Sequence, residues 1–384
     1  MHRDIRLLFP LLILLICSCE QSNDPAPKYT ETTIYGKNQL FEPPGLGGEF
    51  DVGTQKFHWV DQSRGEPHTT YEHDKRELLV RIFYPASMTA GLTQMPVYDF
   101  RRWPFWETAA GRFSHRKLRR SNYLTSMWPV YNEAPINPAQ EAYPLVIFSH
   151  GYGFSPEEHI VIASDLASRG FIVASINHPY GASRTIYDDG RIIYSQDLPQ
   201  DNLGADLELW ANDQIFSIDQ VEALNDDSSS VFFSRVDMSK ITTTGHSYGG
   251  AAAFHSAAKD TRIGLAVDID GTIFNSEGKH LSIPFMMIQS HDDDSREIFE
   301  QVSKDGYEVS FNHAIEHHSF ADYVLFWRWD FPDFETFGTL DDEVAFSATS
   351  EIMTQFMRKY HHGDQAPVLD DPAQTYTFTS VRKF

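Results

Sequence analysis

Short, largely apolar runs alternate along this chain with longer stretches whose apolar positions recur every three or four residues. Residues 145–149 (LVIFS), 171–176 (FIVASI), 263–269 (IGLAVDI) and 285–289 (FMMIQ) are of the first kind. Runs this short, with no polar alternation, predict strands covered on both faces, as in a parallel sheet. Residues 77–84 (ELLVRIFY), ended by Pro85, and residues 241–245 and 307–312 complete the predicted strands. Helical spacing lies between them. It appears at 157–169, opened by Ser155 and Pro156 and stopped by Gly170, then at 205–224, directly after Ser247, and at 341–360. This alternation predicts an α/β fold with a mostly parallel sheet covered by helices on both faces. Residues 87–143, rich in aromatics, Arg and Pro, interrupt the rhythm and read as a lid-like insertion behind an N-terminal β extension.

The segment 241–254 (ITTTGHSYGGAAAF) carries the most specific chemistry. A β-branched run, G-x-S-x-G and a small-residue helix start together describe a strand, a sharp turn and a helix, with Ser247 at the turn. Such a turn lifts the serine hydroxyl above the sheet and aims the next backbone N–H at a developing oxyanion. This arrangement is that of the α/β-hydrolase fold.

Of the 384 residues 41% are hydrophobic, enough for one large core, and a single domain over 41–384 is expected. The N-terminus stands apart from it. Arg3 and Arg6 precede ten apolar residues, too few to span a bilayer but suited to a signal peptide over 1–18. The following Ile16-Cys17-Ser18-Cys19 resembles a bacterial lipobox, which implies lipidation of Cys19 and a polar tether over 19–40. Glu20 is not an inner-membrane retention aspartate. The expectation is therefore a lipid-anchored protein of the bacterial envelope, at the outer membrane, with plain secretion as the alternative. Because both cysteines fall in this leader, the folded part is expected to have no disulfide, thiolate metal site or cysteine nucleophile. Net charge of −23 argues against a nucleic-acid partner. One stretch runs against that charge. Arg101, Arg102, Arg112, Arg116, Lys117, Arg119 and Arg120 are interleaved with Trp103, Phe105, Trp106 and Phe113. They read either as a solvated face buttressed by aromatics or as a surface for anionic headgroups.

A nucleophilic serine needs a base, and the base an orienting acid, in the chain order Ser, Asp or Glu, His. His255 falls inside the helix after Ser247, and His361 and His362 sit at a helix end. His317 and His318 occupy a turn after the last long strand, where a base reaches back over the serine, and His317 is preferred. For the acid, Asp268 and Asp270 end one strand, and Asp292, Asp293 and Asp294 end the next. The oxyanion donors are the N–H of Tyr248 and that of Tyr152, in the loop Ser149-His150-Gly151-Tyr152-Gly153. His291 beside the acidic triplet is too sparse a ligand set for a metal site, and no metal or cofactor is expected.

In combination, LVIFSHGYG, DLASRGFIVASINH, TTTGHSYGGAAA, IGLAVDID and HHSFADY resemble the platelet-activating factor acetylhydrolases, a family among the dienelactone-hydrolase-like proteins. The similarity extends to FDVGTQKFHWVDQSRG and LLVRIFYPA, an opening hairpin. It spans roughly 48–86 and 144–330. The resemblance implies Ser247 as nucleophile, Asp268 as acid, His317 as base, and Tyr152 and Tyr248 as oxyanion donors. Polyester hydrolases and lipases of the same fold would place the acid at Asp293. The implied activity is calcium-independent hydrolysis of a short or oxidised sn-2 acyl ester on a phospholipid, by way of an acyl-enzyme. The alternatives are a general carboxylesterase, lipase or polyester hydrolase, and an inert hydrolase-fold lipoprotein that only binds. The expected partners are a small-molecule or lipid ester and, through the anchor, a membrane surface.

Overall fold

The computed structural model describes residues 34–104, 116–196, 203–292, 295–334, 337–371 and 374–384. Cys17, Cys19, Phe105, Trp106, Arg112, Phe113, Asp293 and Asp294, all named above, lie outside them. In chain order the strands are β1 (Ile34–Tyr35), β2 (Asp51–Gly65), β3 (Lys75–Ala86), β4 (Gln94–Pro96), β5 (Arg116–Lys117), β6 (Met127–Asn132), β7 (Tyr143–Ser149) and β8 (Ile172–Asn177). They continue with β9 (Arg184–Ile186), β10 (Ile192–Tyr194), β11 (Val236–His246), β12 (Ile263–Ile269), β13 (Phe285–Gln289), β14 (Gly306–Ser310) and β15 (Ser380–Lys383). Eleven of them form one sheet in the order β15-β14-β13-β12-β11-β7-β8-β3-β2-β6-β4. Neighbours from β14 to β8 are parallel, and β15 on one side and β3 on the other join antiparallel.

Burial explains why the central strands are largely apolar. Along β7, Val146 and Phe148 enter one core while Leu145 and Ile147 enter the other. The two-residue period of a strand thus feeds both faces, so the few polar side chains these strands carry, Ser149 and Asp268 among them, are buried as well. Helices Ile160–Ser168 and Asp342–His362 cover the first face. Helices Leu203–Asp226 and Tyr248–Ala257 cover the other, through Leu207, Trp210, Ile218, Ala251 and Phe254. The long helix Asp342–His362 starts where Asp341 Oδ1 accepts from Val344 N at 3.2 Å. It stops at Gly363, whose φ of 78° no β-carbon-bearing residue adopts cheaply.

The insertion 87–143 is stitched to the domain. Its strands β4 and β6 extend the sheet beyond β2, and its Trp103, Tyr123 and Trp128 join Phe41 and Phe326 in an aromatic cluster. Phe326 belongs to helix Tyr323–Asp330, so the insertion buttresses the element that directly follows His317. Its cations are largely engaged internally. Arg116 pairs with Asp333 at 2.9 Å, Arg102 with Glu157 at 2.9 Å, and Arg119 Nε donates to Gly36 O at 2.6 Å. These contacts favour the buttressed-face reading of the basic run over the headgroup surface.

Candidate active site

Strand β11 ends at His246, and helix Tyr248–Ala257 begins one residue later, leaving Ser247 alone in the turn at φ 54° and ψ −119°. A non-glycine residue there costs about 1–3 kcal/mol and persists only where its surroundings fix it. They do so here. Ser247 N donates to Ile269 O at 2.7 Å, while Ser247 O accepts from Gly250 N at 2.9 Å and Ala251 N at 3.1 Å. The motif glycines answer to packing: a β-carbon on Gly245 or Gly249 would run into the Ser149 carbonyl of β7. Ser247 itself stays half-buried.

His317 opens a short 3-10 turn, His317–Phe320, after β14. Its Nδ1 stands 2.7 Å from Asp270 Oδ2. Asp270 also accepts from Ser290 N at 2.6 Å, and its own N donates to Ile288 O at 2.6 Å. Burial alone would raise the Asp270 carboxyl. The hydrogen bonds from His317 and Ser290 and the His317 charge outweigh it and hold the group below its ordinary value.

The expectation that Asp268 meets His317 therefore needs correction, because Asp270 makes that contact. Asp268 is still inside β12, paired with Gly245 and Met287, and its side chain is enclosed between the strand and helix Tyr248–Ala257. A β-carbon on Gly250 or Gly271 would collide with its carboxyl oxygen. Burial, and then the neighbouring Asp270 charge, push the Asp268 carboxyl well above its ordinary value. Asp270 lies one residue past the strand, and its φ of 54° turns it out across the sheet edge. Of the alternatives at the next strand end, Asp292 pairs with Arg382 at 3.0 Å, and Asp293 lies outside the described residues.

His318 points away from this pair, into Phe154 and Tyr323. Burial and then the His317 charge lower its pKa to about 4. His255 bonds Glu208 and Phe274 O, and His361 bonds Thr242, as packing residues do. Among the described residues no hydrogen bond joins Ser247 Oγ to His317, though the His317 ring lies 4.6 Å from that of His246, next to the serine. Contacts of this kind often tighten only once substrate is bound.

The loop 149–153 runs over the serine: a β-carbon on Gly151 would sit 3.3 Å from Ser247 Cβ. Tyr152 follows Gly151, and Tyr248 starts the helix on the other side of the turn. Their rings meet edge to face at 5.6 Å, and Tyr248 meets Trp210 at 4.9 Å, which gives the cleft an aromatic wall.

The family model of platelet-activating factor acetylhydrolase, isoform II, matches residues 36–191 and 221–374. The chain belongs to that family. It is 28% identical over 284 residues to the platelet-activating factor acetylhydrolase of Cavia porcellus, covering 64% of this chain and 63% of that protein. It is 28% identical over 131 residues to a probable 1-alkyl-2-acetylglycerophosphocholine esterase of Arthroderma benhamiae, covering 34% and 32%. The chain thus spans less than two thirds of the length of these relatives. A solved ferulic acid esterase from Streptomyces cinnamoneus superimposes with a TM-score of 0.70 at 23% identity, over 88% of this chain and 98% of that one, and shows the α/β-hydrolase fold.

Two arrangements in this acetylhydrolase-family chain escape sequence reasoning. One is a pair of buried histidines: His246 Nδ1 lies 3.1 Å from His159 Nε2, and His246 Nε2 lies 3.1 Å from His317 O. They brace the turn that carries His317. The other is a second serine–histidine–aspartate set, fully buried. His178 Nδ1 lies 2.9 Å from Asp213 Oδ2, and His178 Nε2 lies 2.9 Å from Ser149 Oγ. Asp213 also accepts from Arg76 at 2.7 Å and Arg64 at 2.8 Å. Burial would raise the Asp213 carboxyl, but Arg76 and His178 hold it far below its ordinary value. Burial lowers His178 to about 4, so a neutral imidazole donates to an ionised carboxylate. No motif spacing links residues 149, 178 and 213, so only the fold reveals the set.

Proposed function

We propose that this chain is a serine carboxylic-ester hydrolase that releases short or oxidised acyl groups, such as those at the sn-2 position of phospholipids, without calcium or a cofactor. The observation that carries the reading is the 2.7 Å contact of His317 Nδ1 with Asp270, next to a serine in a strained turn. An ionised Asp270 keeps the proton on Nδ1 and leaves Nε2 as the base. His317 takes the Ser247 proton as Oγ attacks the ester carbonyl. The N–H groups of Tyr152 and Tyr248 meet the oxyanion, and His317 returns the proton to the leaving alcohol. Water then hydrolyses the acyl-enzyme by the same steps in reverse roles. The acetyl preference is supported by family membership and by the names of the relatives. On the leader motif, the envelope location follows from lipidation at Cys19, and Cys19→Ser should release the protein from membranes.

A fluorophosphonate probe should label the wild type and leave Ser247→Ala unlabelled; an unlabelled, folded wild type sinks the mechanism. Substrate class is read from phosphatidylcholines with sn-2 chains from acetyl to palmitoyl, alongside matched p-nitrophenyl esters. Preference for short sn-2 chains supports the acetylhydrolase reading. Turnover of the nitrophenyl esters alone would reduce it to a general carboxylesterase.

A further inference from the structure

His150, fully buried beneath the loop over Ser247, has both ring nitrogens engaged. The backbone N–H of His178 donates to His150 Nε2 at 3.2 Å. A backbone amide is always a donor, so Nε2 is the unprotonated nitrogen and the proton of the neutral ring sits on Nδ1. That Nδ1–H meets Gly151 O at 2.7 Å, and Phe154 N donates to the same oxygen at 3.0 Å. In a trans peptide the C=O and the following N–H point in opposite directions. Fixing the Gly151 oxygen from one side therefore fixes the Tyr152 N–H on the other.

We infer that His150 is a positioning residue for the oxyanion hole. Its Nδ1–H locks the Gly151–Tyr152 peptide so that the Tyr152 N–H, and not the Gly151 oxygen, faces the reacting carbonyl. The buried set described above holds His150 in turn. Asp213 orients the His178 ring, Trp210 stacks on that ring at 4.0 Å, and Ser149, the residue before His150, is tied to His178 and to Gln214 at 2.9 Å each. Burial lowers the His150 pKa well below its ordinary value, which keeps the ring neutral. Were the peptide to turn over, a carbonyl oxygen would stand where negative charge develops.

The inference rests on the proposed serine mechanism, and the test separates the two. The probes are p-nitrophenyl butyrate for kcat and KM, and a butyl trifluoromethyl ketone, whose hemiketal oxyanion occupies the hole. His150→Leu should lower kcat by about 100-fold, the scale of losing one oxyanion donor, with KM unchanged. Affinity for the ketone should fall in parallel. His150→Asn, which places an amide N–H near the Nδ1 position, should recover most of both. If the Leu variant fails to fold, Asn against His150→Gln gives the same contrast, since Gln reaches towards the Nε2 position instead. A folded Leu variant with wild-type kcat overturns the inference, as does a kcat loss with unchanged ketone affinity. Activity that survives in Ser247→Ala would instead overturn the parent mechanism.

Discussion

Two serine–histidine–aspartate sets stand among the described residues, and by distance alone the buried one is the more complete. His178 touches both Asp213 and Ser149 at 2.9 Å, whereas His317 touches Asp270 at 2.7 Å with no hydrogen bond to Ser247. What differs is access and backbone. Ser149 is fully buried in a regular strand, its hydroxyl bound by His178 and by Gln214, with Trp210 flat against the imidazole. Ser247 stands half-open at φ 54°, beside a glycine loop and the first turn of a helix. A nucleophile is defined by an approach for substrate and by donors placed for the oxyanion. The buried set is enclosed on all sides, and on the proposed mechanism it serves as scaffolding for the loop over Ser247.

The comparison breaks most decisively at the two serines. Ser247→Ala should lower kcat by about 10⁴-fold or more with an unchanged Tm, since a triad nucleophile acts as a unit with its base. Ser149→Ala should still take the fluorophosphonate label but melt earlier, because a buried polar partner left unsatisfied costs about 1–3 kcal/mol. The opposite outcome would exchange the roles of the two sets. The two acids come next. Asp270→Asn should lower kcat by about 10³–10⁴-fold, as when the base loses its orienting carboxylate. Asp268→Asn should change kcat little, its carboxyl being enclosed away from His317. Kinetics in which the Asp268 variant is the inactive one would overturn the assignment to Asp270.

In the buried set, Asp213→Asn should show mainly as lost stability, about 3–5 kcal/mol in denaturant titration, since it leaves Arg76 enclosed without its main carboxylate. The smallest effect concerns Asp322, whose carboxyl accepts from Ile160 N at 2.6 Å and is raised by burial to about 8. Its folded pKa lies above its unfolded value of 3.8, so the folded state binds the extra proton. That contribution is complete below pH 4 and fades as pH rises towards 8. The buried histidines work in the opposite sense, gaining stability as pH rises from about 4 to 6.5. Subtracting the Tm-versus-pH curve of Asp322→Asn from that of the wild type should isolate the carboxyl as a difference that shrinks with rising pH. A flat difference would show that Asp322 does not titrate in this range.

Much of the fold was legible because burial on both faces writes itself as continuous apolar runs. Strands β12 and β13 occupy the predicted 263–269 and 285–289, and helix Asp342–His362 lies within two residues of its predicted span. The serine turn was legible because three requirements, for strand, glycines and helix, converge on residues 241–254. Asp270, not the expected Asp268, is the carboxylate the structure brings to His317, and a signal for that was present. Asp268 falls within the apolar run 263–269, and a side chain there packs against a helix, whereas Asp270 falls beyond it, where loops gather at the carboxyl ends of parallel strands. The His150 contacts and the His178–Asp213 set were not legible, since they depend on β7, β8 and helix Leu203–Asp226 being neighbours in space. Insertion strands β4 and β6 escaped for another reason: β4 is three residues long, and Pro129 sits in the middle of β6.

The strand order also bears on how the chain is made. Once β11 has inserted beside β7, each later strand adds to the same growing edge: β12, then β13, β14 and finally β15. Every intermediate on that path ends in an unpaired parallel strand, a template for another chain in the same state. The antiparallel β15, pairing Tyr307 to Ser310 with Lys383 to Ser380, closes the edge with two cations. Until those four residues pair, Ser247, His317 and Asp270 can already be assembled on a sheet whose edge is still open. Protection of that edge is therefore completed later than the candidate site.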